Sequence, residues 1–197
     1  MDSKKALSFW MYFLSLEKDF VQTHHFVEVT TANYATYSVE YSKILQLSCA
    51  EIDSVLRNLC TILEPQCDFP NNESRSGRIG DYKKIINKHC PEFINAEVTL
   101  THGFNCVPWE KWSKNKPPKW WSSYNLVKHY RHSNFHEANL ENVIYSLSAL
   151  MIATLYLYRL VSGEKYAAPY PFPSYFVCKY FSKGLTFRGE GLPGIDA

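Results

Sequence analysis

Between Asn142 and Arg159 lie sixteen consecutive residues without a charge, VIYSLSALMIATLYLY. A run of that kind has two outlets, a bilayer or the inside of a helical bundle. A bilayer span takes roughly 20 predominantly apolar residues, and this run is interrupted by serines, a threonine and tyrosines. Leu140, Val143, Ile144, Leu147, Leu150, Met151, Leu155 and Tyr158 recur every three or four positions, which is a helical stripe. The run therefore predicts the buried core helix of a bundle and no membrane segment, with Gly163 as its stop.

The helix also needs a start. Asn134, followed three residues later by Glu137, has the form of a capping box, a side-chain oxygen for the free amides of the first turn and a carboxylate reaching back. Glu137 also suits the positive end of the helix dipole. A start at Asn134 puts His136 in the first turn, where unpaired amides favour an anion such as phosphate, and leaves Arg131 just upstream. An imidazole titrates near neutrality and can give or take a proton in phosphoryl transfer. A guanidinium neutralises charge that builds on phosphate oxygens.

Arg131, polar His132, the three residues Ser133, Asn134 and Phe135, and then His136 resemble the R-polar-x3-H signature of the HEPN superfamily. The surrounding YNLVKHYR, the following ANLENVIYSLSAL and the upstream YSVEYSKILQLSCAEIDSVL are also similar to uncharacterised bacterial HEPN-like proteins, so the resemblance covers roughly residues 20 to 162. It implies an all-α HEPN-like helical bundle with a long central helix pair, usually dimeric, the motifs of both protomers lining one cleft. It further implies a metal-independent endoribonuclease of toxin or phage-defence systems, cytoplasmic, with an antitoxin-like protein regulator. In that scheme His136 is the general acid or base, Arg131 the phosphate ligand and Asn134 a cap that fixes the histidine. Asn125, Lys128, His129 and His132 are auxiliary or RNA-binding candidates, with Lys119 at the head of the same segment. The alternative within the same family is a non-catalytic dimerisation or RNA- or protein-binding module.

The same residues also have plainer readings. Arg131, His132 and His136 are equally compatible with polar side chains around a helix junction. A metal site is the other chemical reading, since His129, His132 and His136 share a face on an unbroken helix. At the helical rise His129 and His136 would stand about 10 Å apart, too far for one ion at Zn–N of about 2 Å. No metal and no cofactor is expected.

Elsewhere the residues suit one helical domain, 1–163, and an extension, 164–197. Six cysteines without a CxxC pair favour reduced, mostly buried thiols. Lys4 and Lys5 precede an uncharged run, but the apolar spacing continues through Glu17, Lys18 and Asp19. An amphipathic helix reaching Val29, and not a signal peptide, is expected. A turn at Thr31 to Asn33 leads to a long helix from about Tyr37 to Leu63. In it Glu40 and Glu51, eleven residues apart, project in nearly the same direction; they are candidates to orient Arg131, Lys128 or His129, or else a solvated flank or a structural ion pair. Residues 65 to 80 read as a loop, Asp81 to Lys88 as a short helix and Glu97 to Thr101 as an extended piece.

From Lys111 to His132 there are six lysines or arginines, three tryptophans and no acidic residue. Cations for phosphates and aromatic faces for unstacked bases suit single-stranded RNA; the bland alternative is a solvated loop with Trp120 and Trp121 in the core. The extension is rich in proline and aromatic residues. Tyr175 to Phe181 and Leu185 to Arg188 are expected to pair as a hairpin, the aromatics covering the helical core or a second protomer. There is no internal repeat, glycine-rich phosphate loop or Gly-x-Ser-x-Gly elbow.

Overall fold

The computed structural model describes residues 1–67, 78–114, 116–163 and 168–178. Their architecture is all-α, five helices with one small sheet: α1 (Ser3–Thr23), α2 (Val39–Leu63), α3 (Ile79–His89), α4 (Lys119–Asn134) and α5 (Leu140–Ser162). α5 is the centre, packed along α1 and α2, with α4 against both α2 and α5 and α3 against α2. Asp2 and Ser38 cap α1 and α2, each side chain accepting a backbone amide three residues on. Gly163 ends α5 in the left-handed region at φ 71°, a conformation that only glycine adopts without penalty.

α5 is long and apolar enough to cross a membrane, with a mean hydropathy of 1.5 over its best window, yet 72% of that window is buried inside the bundle. Its polar residues are satisfied there. Ser48 Oγ donates to Ser146 Oγ at 2.9 Å, Ser146 Oγ to the Val143 carbonyl at 3.0 Å and Thr154 Oγ1 to the Leu150 carbonyl at 2.9 Å. An unsatisfied buried donor costs about 1–3 kcal/mol, so these bonds are what let serine and threonine share a core with leucine.

Helices α2 and α3 start or end within two residues of the sequence expectation, and two boundaries differ by more. α1 stops at Thr23, not Val29, because the Thr23 carbonyl takes the amides of both Phe26 and Val27 and the chain turns. α5 begins at Leu140, six residues after Asn134, for reasons given below.

The sheet is antiparallel, in the order β2-β1-β3: β1 (Val98–Leu100), β2 (Asn105–Cys106) and β3 (Phe176–Val177). β1 falls where an extended piece was expected. β3 falls in Tyr175 to Phe181, the first segment expected of a C-terminal hairpin, and it pairs with β1; residues 179–197, including Leu185 to Arg188, lie outside the described residues. The extension packs on α1, with Phe176 against Phe13 and Phe20. Trp10 Nε1 donates to the Pro171 carbonyl at 2.7 Å. All six cysteines are free thiols, and Cys49, Cys60, Cys106 and Cys178 are buried.

Candidate functional site

α4 starts as a core helix and ends as a surface one. Trp120, Ser123, Tyr124 and Val127 are buried at helical spacing, whereas Lys128 to Ser133 are all exposed. The change coincides with a kink at Tyr130 (φ −137°, ψ 44°). A 3-10 turn, Phe135–Glu137, then reverses the chain into α5.

Asn134 is the last residue of α4, so it does not cap α5: its side chain donates to the Tyr130 carbonyl at 3.0 Å. The cap is Asn139, whose Oδ1 accepts from the Asn142 amide at 3.1 Å. Glu137 makes no capping-box return. It accepts from Ser123 Oγ at 2.6 Å, and its carbonyl accepts from the Asn142 side chain at 2.8 Å. His136 therefore lies in the turn, outside the first turn of α5.

The anion niche expected at the start of α5 is closed. The Leu140 amide donates to the Thr36 carbonyl at 2.9 Å and the Glu141 amide to the Tyr34 carbonyl at 3.2 Å. The strand-like segment before α2 thus occupies donors that a phosphate would need. Lys119, which leads the basic stretch, is engaged beside it in an ion pair with Glu141 at 2.6 Å.

What remains is an exposed cationic corner. Lys128, His129, Arg131, His132 and His136 all reach solvent. The Arg131 guanidinium lies over the Phe135 ring at 4.4 Å, and Tyr37 meets the same ring edge-on at 5.6 Å. Cation–π stacking of this kind orients the guanidinium while leaving its donors available. Among the described residues no carboxylate pairs with Arg131. His136 Nε2 stands 3.6 Å from Glu137 Oε1.

The carboxylates of α2 are not part of this corner. Glu40 pairs with Lys43 at 2.8 Å and lines a hollow with Asp19 and Phe26 of the α1 end. Burial first and then the nearby Glu51 raise the pKa of Tyr12 on α1, and burial raises that of Glu51 itself. Both face α1, as their shared direction requires, and neither orients Arg131. The acidic residue on the α4 side is Asp53, which sequence reasoning passed over. It accepts from the Tyr82 hydroxyl at 3.0 Å and has Arg57 at 3.6 Å. Asp53 lines a groove with Asn125 and Lys128 of α4.

The aromatic residues of the basic stretch divide. Trp112 and Trp120 are core, joined there by Trp109, while Trp121 is half-buried at the edge of the groove. Among the described residues no group of three histidine, cysteine or acidic side chains could hold a metal ion. Compared with known proteins, the chain matches no family model, and no curated protein or solved structure is significantly similar to it.

Proposed function

We propose that this chain is an HEPN-like, metal-independent endoribonuclease acting as a homodimer, with Arg131 and His136 as its catalytic pair. One observation carries the reading: an arginine free of any described carboxylate and an exposed histidine five residues on share one surface corner, at the end of a helix whose exposed cations lead up to it. His136 takes the proton from a ribose 2′-hydroxyl or gives one to the leaving 5′-oxygen. Arg131 binds the phosphate and the charge that accumulates on it. The products are a 2′,3′-cyclic phosphate and a 5′-hydroxyl. The corner is open on one copy, and the exposed Leu126 and Tyr130 beside it give a second copy apolar surface to cover while it completes a cleft. The setting that goes with this reading is a cytoplasmic toxin or phage-defence protein controlled by an antitoxin-like regulator.

A non-catalytic HEPN-like module that dimerises or binds RNA or protein is the second reading. The filled amides at the start of α5 and the turning of Asn134 toward Tyr130, away from His136, favour it. One experiment separates the two. Purified protein in excess EDTA is incubated with mixed-sequence RNA beside folded Arg131→Ala and His136→Ala variants. Cleavage by the parent alone, leaving cyclic phosphate ends, is the expected result. Full activity in either variant removes the catalytic pair, and RNA binding without cleavage by the parent selects the second reading.

A further inference from the structure

We propose that the groove between α2, the start of α3 and α4 is a base-binding subsite for single-stranded RNA, a few nucleotides from the Arg131 and His136 corner; it rests on the RNA reading above. The groove has a volume of about 500 Å³ and is lined by Asp53, Arg78, Trp121, Tyr124, Asn125 and Lys128 among others. That volume falls within the roughly 300–1,000 Å³ of small-ligand sites.

Its floor is aromatic and fixed. Trp121 meets Trp120 edge-on at 5.9 Å and Tyr124 at 5.4 Å. Trp120 is itself anchored in the core, its Nε1 donating to the Pro108 carbonyl at 2.9 Å. A half-buried indole held in place at the lining of a groove suits stacking of an unpaired base, and stacking accepts any base because each has a π-face. Asn125 donates its amide to the Trp121 carbonyl at 2.9 Å, which leaves its side-chain oxygen as an acceptor for a base edge.

Its rim is cationic. Arg78 at the start of α3 and Lys128 on α4 are both exposed, and neither belongs to an ion pair among the described residues. Lys128 rests over Tyr124 at 5.4 Å. The one carboxylate among the described residues of the groove, Asp53, is already bonded to the Tyr82 hydroxyl and compensated by Arg57, so there an incoming phosphate meets two cations and a carboxylate already engaged. Trp121, Asn125 and Lys128 fall on one face of α4, just ahead of the kink at Tyr130 that leads to Arg131. Along the helix axis Trp121 and Arg131 are about 15 Å apart, a separation that a short single strand spans and that gives the corner and the groove one continuous ligand.

The test uses a fluorescein-labelled, 2′-O-methylated oligouridylate of about ten residues, a length within the range of single-strand sites, which 2′-hydroxyl attack cannot cleave. Anisotropy is followed for the full chain and for variants confirmed as folded by circular dichroism. The wild type binds the probe, and unlabelled duplex RNA of the same length competes poorly. Trp121→Leu weakens binding on the order of tenfold and Trp121→Phe restores most of it. Arg78→Ala and Lys128→Ala, both at exposed positions, each lower the salt dependence by about one ion. Wild-type affinity and salt slope in both Arg78→Ala and Lys128→Ala overturn the subsite, as does a wild type that does not bind. If only Arg131→Ala weakens binding, the groove falls and the RNA reading stands. Loss in the groove variants with no cleavage of unmodified RNA leaves the groove and removes the nuclease.

Discussion

The backbone amide of Tyr175 donates to Glu17 Oε1 at 2.7 Å, across 158 residues of sequence. The same oxygen accepts from the Phe176 amide at 3.0 Å, and Oε2 accepts from the amide and hydroxyl of Ser174 at 2.9 and 3.3 Å. Glu17 is only 3% exposed. A buried carboxylate is costly unless hydrogen-bonded, and these donors supply charge-assisted bonds that tie the extension to α1. Glu17→Ala leaves three amides without an acceptor. At about 1–3 kcal/mol for each unsatisfied group, the loss is at least ~3 kcal/mol unless the segment detaches and finds water. A lower urea midpoint, or fast hydrogen exchange at Tyr175 and Phe176, is the expected result. Glu17→Gln, keeping one acceptor oxygen, falls between. Parent-like values of both in Glu17→Ala would refute the clamp.

His24 packs at a tilt against the Tyr175 ring at 4.6 Å, and its Nε2 is buried without a hydrogen-bond partner. Burial first, then the neighbouring His102 and His25, lower its pKa below 6.5. A depressed folded value means that the unfolded chain takes up this proton more readily. The stability it contributes is present above about pH 6.5 and is lost as pH falls through the lower folded value. Urea midpoints should therefore decline on acidification more steeply in the wild type than in His24→Gln, which does not titrate. Equal slopes would remove His24 as the cause.

The thiols give the opposite sign. Burial raises the Cys106 thiol from 9.0 to about 12, and the Cys49 and Cys60 thiols also rise through burial. Folded values above unfolded ones contribute stability that is intact below pH 9.0 and is lost as pH climbs toward 12. Midpoints should fall over that alkaline interval. Because the thiolate is the reactive form, iodoacetamide at pH 8 should label the half-buried Cys67 in native protein, and more slowly Cys90, whose thiol burial also raises. Cys49, Cys60, Cys106 and Cys178 should react only in denaturant, which peptide mass spectrometry resolves. Early labelling of Cys106 would contradict its burial.

Much of the bundle was legible because local pattern and tertiary demand agree there. α5 is apolar on nearly every side and is buried on nearly every side; α2 carries a stripe and a serine cap and starts within two residues of the expected place. The corner was misread because two asparagines, Asn134 and Asn139, both have cap chemistry. Only the Thr36 and Tyr34 carbonyls, about a hundred residues away, choose between them. Glu40 and Glu51 were candidates to orient the α4 cations, whereas the acid that lines the α4 groove is Asp53, a two-residue shift from Glu51 that turns a helical side chain by about 200°. Glu17 was hidden by its own charge. An acidic residue inside an apolar stripe reads as a surface break, and its four donors lie at the other end of the chain. Composition also could not separate Trp120, in the core, from Trp121, at the groove.

The choice of cap makes the corner itself testable. Asn139 accepts from the Asn142 amide and donates from Nδ2 to the His136 carbonyl at 3.1 Å. It therefore fixes both the first turn of α5 and the backbone that carries the proposed catalytic histidine. Asn139→Ala should cost about 1 kcal/mol as a lost N-cap and slow any RNA cleavage, since a misplaced acid or base loses its approach to the phosphate. Asn134 makes one exposed bond to the Tyr130 carbonyl, so Asn134→Ala should stay within about 0.5 kcal/mol of the parent. Urea denaturation of the two variants side by side measures the difference. A larger loss from Asn134→Ala than from Asn139→Ala would move the start of α5 back to Asn134, return His136 to its first turn, and reopen the anion niche that the Thr36 and Tyr34 carbonyls close.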